Sequence, residues 1–513
     1  MKFILRRRDF SDNPMLLDLD FEIMRFSWDV IGGPKQATVN ARGARDVIFN
    51  LVNLMRSPVE IISDKGEIVW WGYLDTLDIN YGSIRYGVNM NGMFNKTAVA
   101  YTEKNVRYTT DWSEDADSVL EYGYKEIFLS RTDAIEVDAI QQRDTYLAAT
   151  KYPIPTIGFE SGEAEEAQAT LICRGWYETL EWQYYTNLAG EESYTVMGQG
   201  GREVGEDDRP ILAMSFQIAA AEAWTATTLW LSPWKVGTPS DNLVITIRAT
   251  SGGLPGSVLA TSTKAGSAIQ QNSAWMEFPL SASVTLSPST IYWIHAQRSS
   301  SVDPNNYFML DTNLDNGYPR GSMYLYNTTL AAWVSNPGKG DLIFRLVGVQ
   351  ETTEQIANII DICGQFFPGS IIENESGIES GQYRNGDSTG LYELEKLLLV
   401  GTSNARRLLA EVTHNRYLRI YEEPVKPVDT FGLDKNGRLS FKNNTPMDIE
   451  LCPVGIWCHL VDVIPSTVDL SMVASPDLFF IEEAEYSPNI RRYQILRTRD
   501  QSSVFDIGGI EQG

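Results

Sequence analysis

Histidine and cysteine are scarce in this chain, and cations are outnumbered. Three His and four Cys serve 513 residues. His295, His414 and His459 lie far apart, and Cys173, Cys363, Cys452 and Cys458 form no Cys-x-x-Cys pair, so a Cys/His zinc site has little support. The thiols read as reduced and mostly buried. The even separation of Cys452 and Cys458 places both on one face of a strand, too far apart along it to bond. Lys and Arg number 42 against 67 Asp and Glu, a net charge of −25. So acidic a chain has few clustered cations to displace phosphate counterions, which argues against wrapping nucleic acid. No apolar run approaches the ~18 residues of a membrane span. The N-terminal Phe3-Ile-Leu5 before Arg6-Arg7-Arg8 is too short for a secretion signal. The expectation is a protein made and folded in a cytoplasm, with no stable membrane insertion of its own.

Apolar residues are plentiful, at 43% with 11% aromatic, which suits packed cores and argues against disorder. The length calls for several domains. Charge marks one of them: about one residue in ten is charged between Ile211 and Gly348, against about one in four elsewhere. Five segments are expected: a β-rich domain at 1–105, a mixed α+β domain at 106–208 ending in a flexible Gly-rich linker, an antiparallel β-sandwich at 209–348, a helical segment at 349–423, and a C-terminal β/loop domain at 424–513. The fold class is mainly β with several helices (α+β).

Within 1–105, two β-rich runs flank Asp64-Lys65-Gly66, a hairpin turn with Gly where positive φ costs little. The second run carries Trp70, Trp71, Tyr73, Leu74 and Leu77, too much apolar surface for a free edge. Val47, Leu51, Leu54 and Met55 fit one face of a helix over Ala44–Met55. Ile356, Ile359, Ile360 and Cys363 do the same for a helix ending at Gly364. Leu391–Val400 and Ala405–Glu411 read as further helices. Residues 211–348 read as short strands separated by Gly/Pro turns, the spacing of a sandwich.

Gly386-Asp-Ser-Thr-Gly390 matches the nucleophile elbow Gly-x-Ser-x-Gly, but a polar loop rather than a buried strand precedes it, so Ser388 or Thr389 is better placed as a helix N-cap. Asp311, Asn313 and Asp315 alternate oxygen ligands like the start of a calcium loop, but the Gly is one position late and position twelve is Ser322. A tight turn is the competing reading, and no other cofactor is implied. Adjacent carboxylates such as Glu422-Glu423 and Glu482-Glu483 face opposite ways on a strand and do not converge on a substrate. They read as solvated or interface charge, with Arg406-Arg407 and Arg491-Arg492 as partners. Six of the thirteen Trp crowd the middle segment. Among its aromatics Trp230, Trp234, Tyr307, Tyr318 and Trp333 are candidates for stacking on sugar rings, with burial in the core as the alternative for each.

Several motifs, in this order, resemble siphophage tail proteins of the baseplate-hub type. They are Trp28-Asp-Val-Ile-Gly-Gly-Pro34, Arg56-Ser-Pro-Val-Glu60, Trp70-Trp-Gly-Tyr-Leu-Asp75, Asn95-Lys-Thr-Ala-Val-Ala-Tyr101 and Arg174-Gly-Trp-Tyr-Glu178. Gly401-Thr-Ser-Asn-Ala-Arg-Arg407, Arg419-Ile-Tyr-Glu-Glu-Pro424 and Phe479-Phe-Ile-Glu-Glu-Ala-Glu-Tyr486 follow. The middle segment, through Leu243-Val-Ile-Thr-Ile-Arg-Ala249 and Leu286-Ser-Pro-Ser-Thr-Ile-Tyr-Trp293, is similar to jelly-roll modules of the carbohydrate-binding kind. The resemblance implies hub-type β-barrel or sandwich domains forming a ring, commonly three-fold, that joins the tail tube to the receptor-binding tip. A six-fold distal tail ring is the alternative, and a glycan-binding or glycan-cleaving protein a third reading. It implies no enzyme, a ring interface at Trp70, Trp71 and Tyr73, other tail proteins as partners, a host-surface glycan on the middle module, and DNA only in transit through the bore.

Overall fold

A computed structural model describes residues 1–12, 19–103, 106–185, 190–195, 200–206, 210–220, 223–314, 317–335, 340–381, 388–424, 429–433, 439–441, 448–461 and 478–500. The protein is mainly β, with antiparallel sheets and a few helices. It divides into two compact units, one of Met1–Tyr185, Thr352–Ile378 and Asp387–Gly513, the other of Thr186–Glu351 and Glu379–Gly386.

The first unit is built on a thirteen-stranded sheet. Its central path runs Lys2–Leu5, Pro58–Ile62, Ile68–Tyr81, Ala167–Arg174, Gly33–Gly43, Asp20–Asp29, Leu478–Ser487 and Trp457–Val461. The expected barrel does not form: among the described residues the path is open, ending at Lys2–Leu5 and Leu439–Phe441. The expected hairpin is present, with Gly66 at φ +88° in its turn and Ile61 paired to Trp70. Arg45–Asn50 is α-helical and Leu51–Leu54 continues as a 3-10 turn. Thr352–Cys363 and Gly390–Leu398 are the expected helices, and Ile356, Ile359, Ile360, Cys363, Leu394 and Leu397 bury in the same core as the hairpin. The segments expected as separate N-terminal, helical and C-terminal domains therefore share one core.

Two expectations here are corrected. Leu408–Val412 is a strand, not part of a helix; it pairs with Leu418–Glu422 and buries Leu408, Leu409, Ala410 and Val412. Its residues favour helix by propensity, but burial between neighbours decides the conformation. Cys452 does not share a strand with Cys458: it ends the 3-10 turn Ile449–Leu451 at φ +48°. The helices Ala116–Tyr122 and Glu136–Thr150, not individually foreseen, lie in the segment read as mixed.

The second unit has a single core. On one side stands a six-stranded sheet in the order Leu254–Ala265, Asn242–Ser251, Tyr292–Arg298, Ile211–Phe216, Met323–Asn327, Ala332–Ser335. It sends Leu243, Ile245, Ile247, Ile294, Leu212, Met214 and Phe216 inward. They meet Leu229, Leu231, Phe278, Phe344 and Leu346 from a sheet that includes Trp224–Leu231, Met276–Leu286 and Phe344–Glu351, and Phe308 and Leu310 from a third sheet. Within the linker expected at 198–210, Gly200–Val204 is a strand paired with Tyr307–Asn313, and Glu191–Tyr194 before it pairs with Phe344–Glu351. Glycines at 200 and 201 let that strand pass under large side chains, which composition alone read as flexibility. The unit accordingly begins at Thr186 rather than at 209.

Candidate functional site

The second unit's six-stranded sheet has one face in the core, so strand alternation turns the other outward from that core. Cross-strand pairs put Arg248 beside Trp293, Thr246 beside His295, Ala213 beside His295 and Tyr324, and Tyr326 beside Trp333. All share this second face. Trp293 and His295 are buried, at 1% and 3% exposure, while Tyr324, Tyr326, Trp333 and Arg248 are half-buried. The rings interlock edge to face: Trp293 and Tyr324 have centroids 5.3 Å apart, Tyr326 and Trp333 5.4 Å, and His295 and Trp333 6.0 Å. Such contacts stiffen an aromatic platform at little cost in side-chain entropy.

Two polar atoms beneath the platform lack hydrogen-bond partners, Trp293 Nε1 and His295 Nδ1. An unmade bond in a buried site costs on the order of 1–3 kcal/mol. Burial, reinforced by the charge of Arg248, pushes the His295 imidazole down to about 4, so it is neutral at pH 7. Burial also lowers the Arg248 guanidinium, which donates Nε to Thr246 Oγ1 at 2.9 Å and Nη1 to the Gly256 carbonyl at 3.3 Å.

The five sequence candidates do not gather into one site. Trp333 lies on this platform. Trp230 sits opposite Glu277 and Arg345 on another sheet. Trp234 and Tyr307 share a face of the third sheet, where Trp234 lies so close over Gly201 that a Cβ there would come within 2.1 Å of its ring. Tyr318 is a core residue at 3% exposure, its hydroxyl 2.7 Å from Glu192 Oε1 and 2.9 Å from the Gln217 carbonyl. His295 and Arg248 were not singled out as binding residues. Alternation in Trp293-x-His295 and Tyr324-x-Tyr326 held the signal, but only strand pairing shows which face is free.

The calcium reading is not supported where the structure speaks. Asp311 and Asn313 lie in the extended strand Tyr307–Asn313 rather than in a turn, and Asp311 Oδ2 accepts from Ser232 Oγ at 2.5 Å. Asp315 falls outside the described residues. Asp341 anchors the following segment instead, accepting the Tyr318 and Met323 amides at 2.8 and 3.1 Å. Among the described residues no three His, Cys, Asp or Glu side chains gather as a metal site.

The residues proposed for a ring interface are largely interior. Trp70 is fully buried and Tyr73 1% exposed, the latter packed against Trp176 and Trp182 at 5.2 and 5.6 Å. Trp71 is half-buried, with Nε1 donating to the Val412 carbonyl at 3.1 Å. The apolar surface of the hairpin is spent on the core. Ser388 gives its hydroxyl to Glu393 Oε1 at 2.5 Å and Thr389 caps the helix Gly390–Leu398, as the helix-cap reading requires.

The first unit also holds a cavity of about 400 Å³. Asp29, Lys35, Glu178, Glu395, Arg407 and Arg497 line part of it. Arg497 reaches Asp29 and Glu482 at 3.0 Å each, Arg407 reaches Glu482 at 2.7 Å and Lys35 reaches Glu483 at 2.8 Å. The adjacent carboxylates at 482 and 483 are thus largely buried members of an ion-pair network whose Lys35 and Arg497 partners stay half-exposed. Glu178 and Glu395 are both pushed up by burial, Glu395 further by Glu178. Among the described residues no helix is long and apolar enough to cross a membrane.

No protein-family model matches the chain, and no curated protein matches it. Among solved structures, the mosquito-larvicidal Cry4Aa toxin of Bacillus thuringiensis overlaps at 8% identity and TM-score 0.16, over 60% of this chain and 52% of the toxin. The chain thus spans about half the length of that structure. The infectious bursal disease virus VP2 subviral particle overlaps at 10% identity and TM-score 0.17, over 65% and 77% of the two chains. A glycoside hydrolase family 43 arabinoxylan arabinofuranohydrolase of Bacillus subtilis overlaps at 11% identity and TM-score 0.15, over 54% and 63%. At these TM-scores none of the overlaps defines a shared fold.

Proposed function

We propose that the chain is a structural subunit of a bacteriophage tail tip, forming a hub ring that joins the tail tube to the receptor-binding tip, and that its second unit binds a host-surface glycan. The order of hub-like motifs supports the first half. The second rests on one observation: half-buried Tyr324, Tyr326 and Trp333 form a platform over Trp293 and His295, whose Nε1 and Nδ1 respectively lack partners. Sugar rings offer flat C–H faces to aromatics and hydroxyls to such nitrogens. The role is binding and assembly rather than catalysis. The ring is three-fold on this reading, with a six-fold distal tail ring as the alternative. DNA in transit would meet a strongly acidic protein, which repels phosphate and prevents sticking. The place of action is the tail tip of the virion, and the partners are further copies, neighbouring tail proteins and the glycan.

Two measurements test the halves separately. Negative-stain electron microscopy of the purified chain is expected to show three-fold rings with a DNA-wide hole, and six-fold rings would favour the distal-ring alternative. A glycan array is expected to give binding that Trp333→Ala abolishes. Binding untouched by that change would remove the platform from the reading.

A further inference from the structure

The platform sheet is poor in acidic residues, like the low-charge segment it belongs to. Acidic residues make up 67 of 513 positions in the chain, yet none of the six strands of this sheet carries an Asp or Glu. Low strand propensity of carboxylates explains only part of this, since Leu478–Ser487 in the other unit holds Glu482, Glu483 and Glu485. On the face away from the core, the charged group is Arg248, beside Trp293 and close enough to His295 to depress its imidazole.

We propose that the glycan taken by this platform carries an anionic group, read by Arg248 together with the ring nitrogens of Trp293 and His295. This rests on the glycan-binding reading above and names its ligand class: a sugar ring bearing a carboxylate or a phosphate. Tyr326 and Trp333 supply the stacking surface, and the anion lies toward the Arg248 end of the face. Tyr324 packs edge to face on Trp293, and on this proposal it turns aside to let the ligand reach the buried nitrogens while Trp333 stays as the stacking surface. A carboxylate at the surface would repel such a ligand, and the sheet has none.

The charge pairing has a pH signature. Facing His295 are Arg248 on one neighbouring strand and Tyr324 and Tyr326 on the other side; Ile211–Phe216 and Ala332–Ser335 contribute no titratable side chain. A bound anion offsets the repulsion from Arg248 and raises the imidazole, so binding takes up a proton and tightens as pH falls.

The test is isothermal titration of the full chain with a uronic-acid tetrasaccharide, its carboxyl-reduced neutral counterpart, and that neutral sugar carrying one phosphate. The uronate or the phosphorylated sugar is expected to bind about tenfold tighter than the neutral one, and the stronger of the two identifies the source of the anion. Arg248→Gln is expected to erase the preference while keeping the neutral affinity, and Arg248→Lys to retain most of it. His295→Gln is expected to flatten the pH dependence of the anionic sugars' affinity. Equal binding of neutral and anionic sugars, unchanged by Arg248→Gln, overturns this inference and leaves the glycan reading standing. Binding of none of the three overturns both.

Discussion

Replacing Tyr318 with phenylalanine distinguishes a core tyrosine from a sugar-stacking one. Its hydroxyl lies 2.7 Å from Glu192 Oε1, and Glu192 is 1% exposed. That carboxylate also accepts the Ala219 amide at 2.6 Å and Arg320 Nη2 at 2.5 Å. A hydrogen bond to a charged group is worth about 1.5–3 kcal/mol, and the phenyl ring left behind keeps its packing against Tyr194 and Phe344 at 5.7 and 5.4 Å. The loss therefore falls on the hydroxyl alone. In a unit of this size each kcal/mol lowers the transition by about 2–4 °C, so a fall of about 3–12 °C is expected. Calorimetry of the full chain reads it best, because two units with separate cores need not unfold in one transition. Glycan affinity at 25 °C should stay unchanged. A Tyr318→Phe protein that keeps its transition temperature but loses affinity would refute the reasoning and return Tyr318 to the binding surface.

Other consequences are equally open to measurement. Thr389→Ala removes the side-chain cap of Gly390–Leu398 and should cost about 1 kcal/mol in urea unfolding. Gly175→Ala would bring a Cβ to 1.7 Å from the Pro34 carbonyl, so the first unit should fail to reach its native circular dichroism spectrum. Lys125 is held down to about 8 by burial; the unfolded chain binds the proton more tightly, so stability should rise by up to about 3 kcal/mol from pH 8 to 10.5. Lys125→Met should flatten that rise, and an identical rise in the variant would show that other groups cause it. The Asp241 carboxyl is opposed by burial but held below its usual range by Arg298 and Ser300. Asp241→Asn should therefore destabilise the second unit at pH 7, with the difference vanishing as pH falls below the usual carboxylate range.

Local signals carried much of the fold. The hairpin around Gly66 and the helices Thr352–Cys363 and Gly390–Leu398 were legible because turn chemistry, caps and the 3.6-residue period agree there. Leu254–Ala265 was not, since Leu254-Pro-Gly256 reads as a turn while the strand pairs along Asn242–Ser251 through register shifts. Leu408–Val412 was misread because its burial comes from distant partners. The candidate site was half legible. Aromatic crowding pointed to the segment that holds the platform, but neither Trp293 nor His295 was singled out there. What decides whether such a face binds or packs is which sheet covers it, and that is a long-range fact. Trp70 and Tyr73 show the same limit: their apolar surface was evident, but the side that claims it was not.

One pairing sets the order in which the molecule can be made. Asp20–Asp29 is hydrogen-bonded on one side to Gly33–Gly43 and on the other to Leu478–Ser487. During synthesis the second partner emerges roughly 450 residues after the first, on the order of 20–90 s later. For that time the nascent sheet has an unfinished border, and Phe26, which stacks near Tyr486 at 5.6 Å in the finished protein, lacks its cover. The second unit, continuous in sequence but for Glu379–Gly386, can close its core in the interval. A nascent chain halted after Gly386 would thus hold the whole sequence of the second unit beside an unfinished sheet border, which is where a chaperone or a neighbouring nascent copy would first take hold.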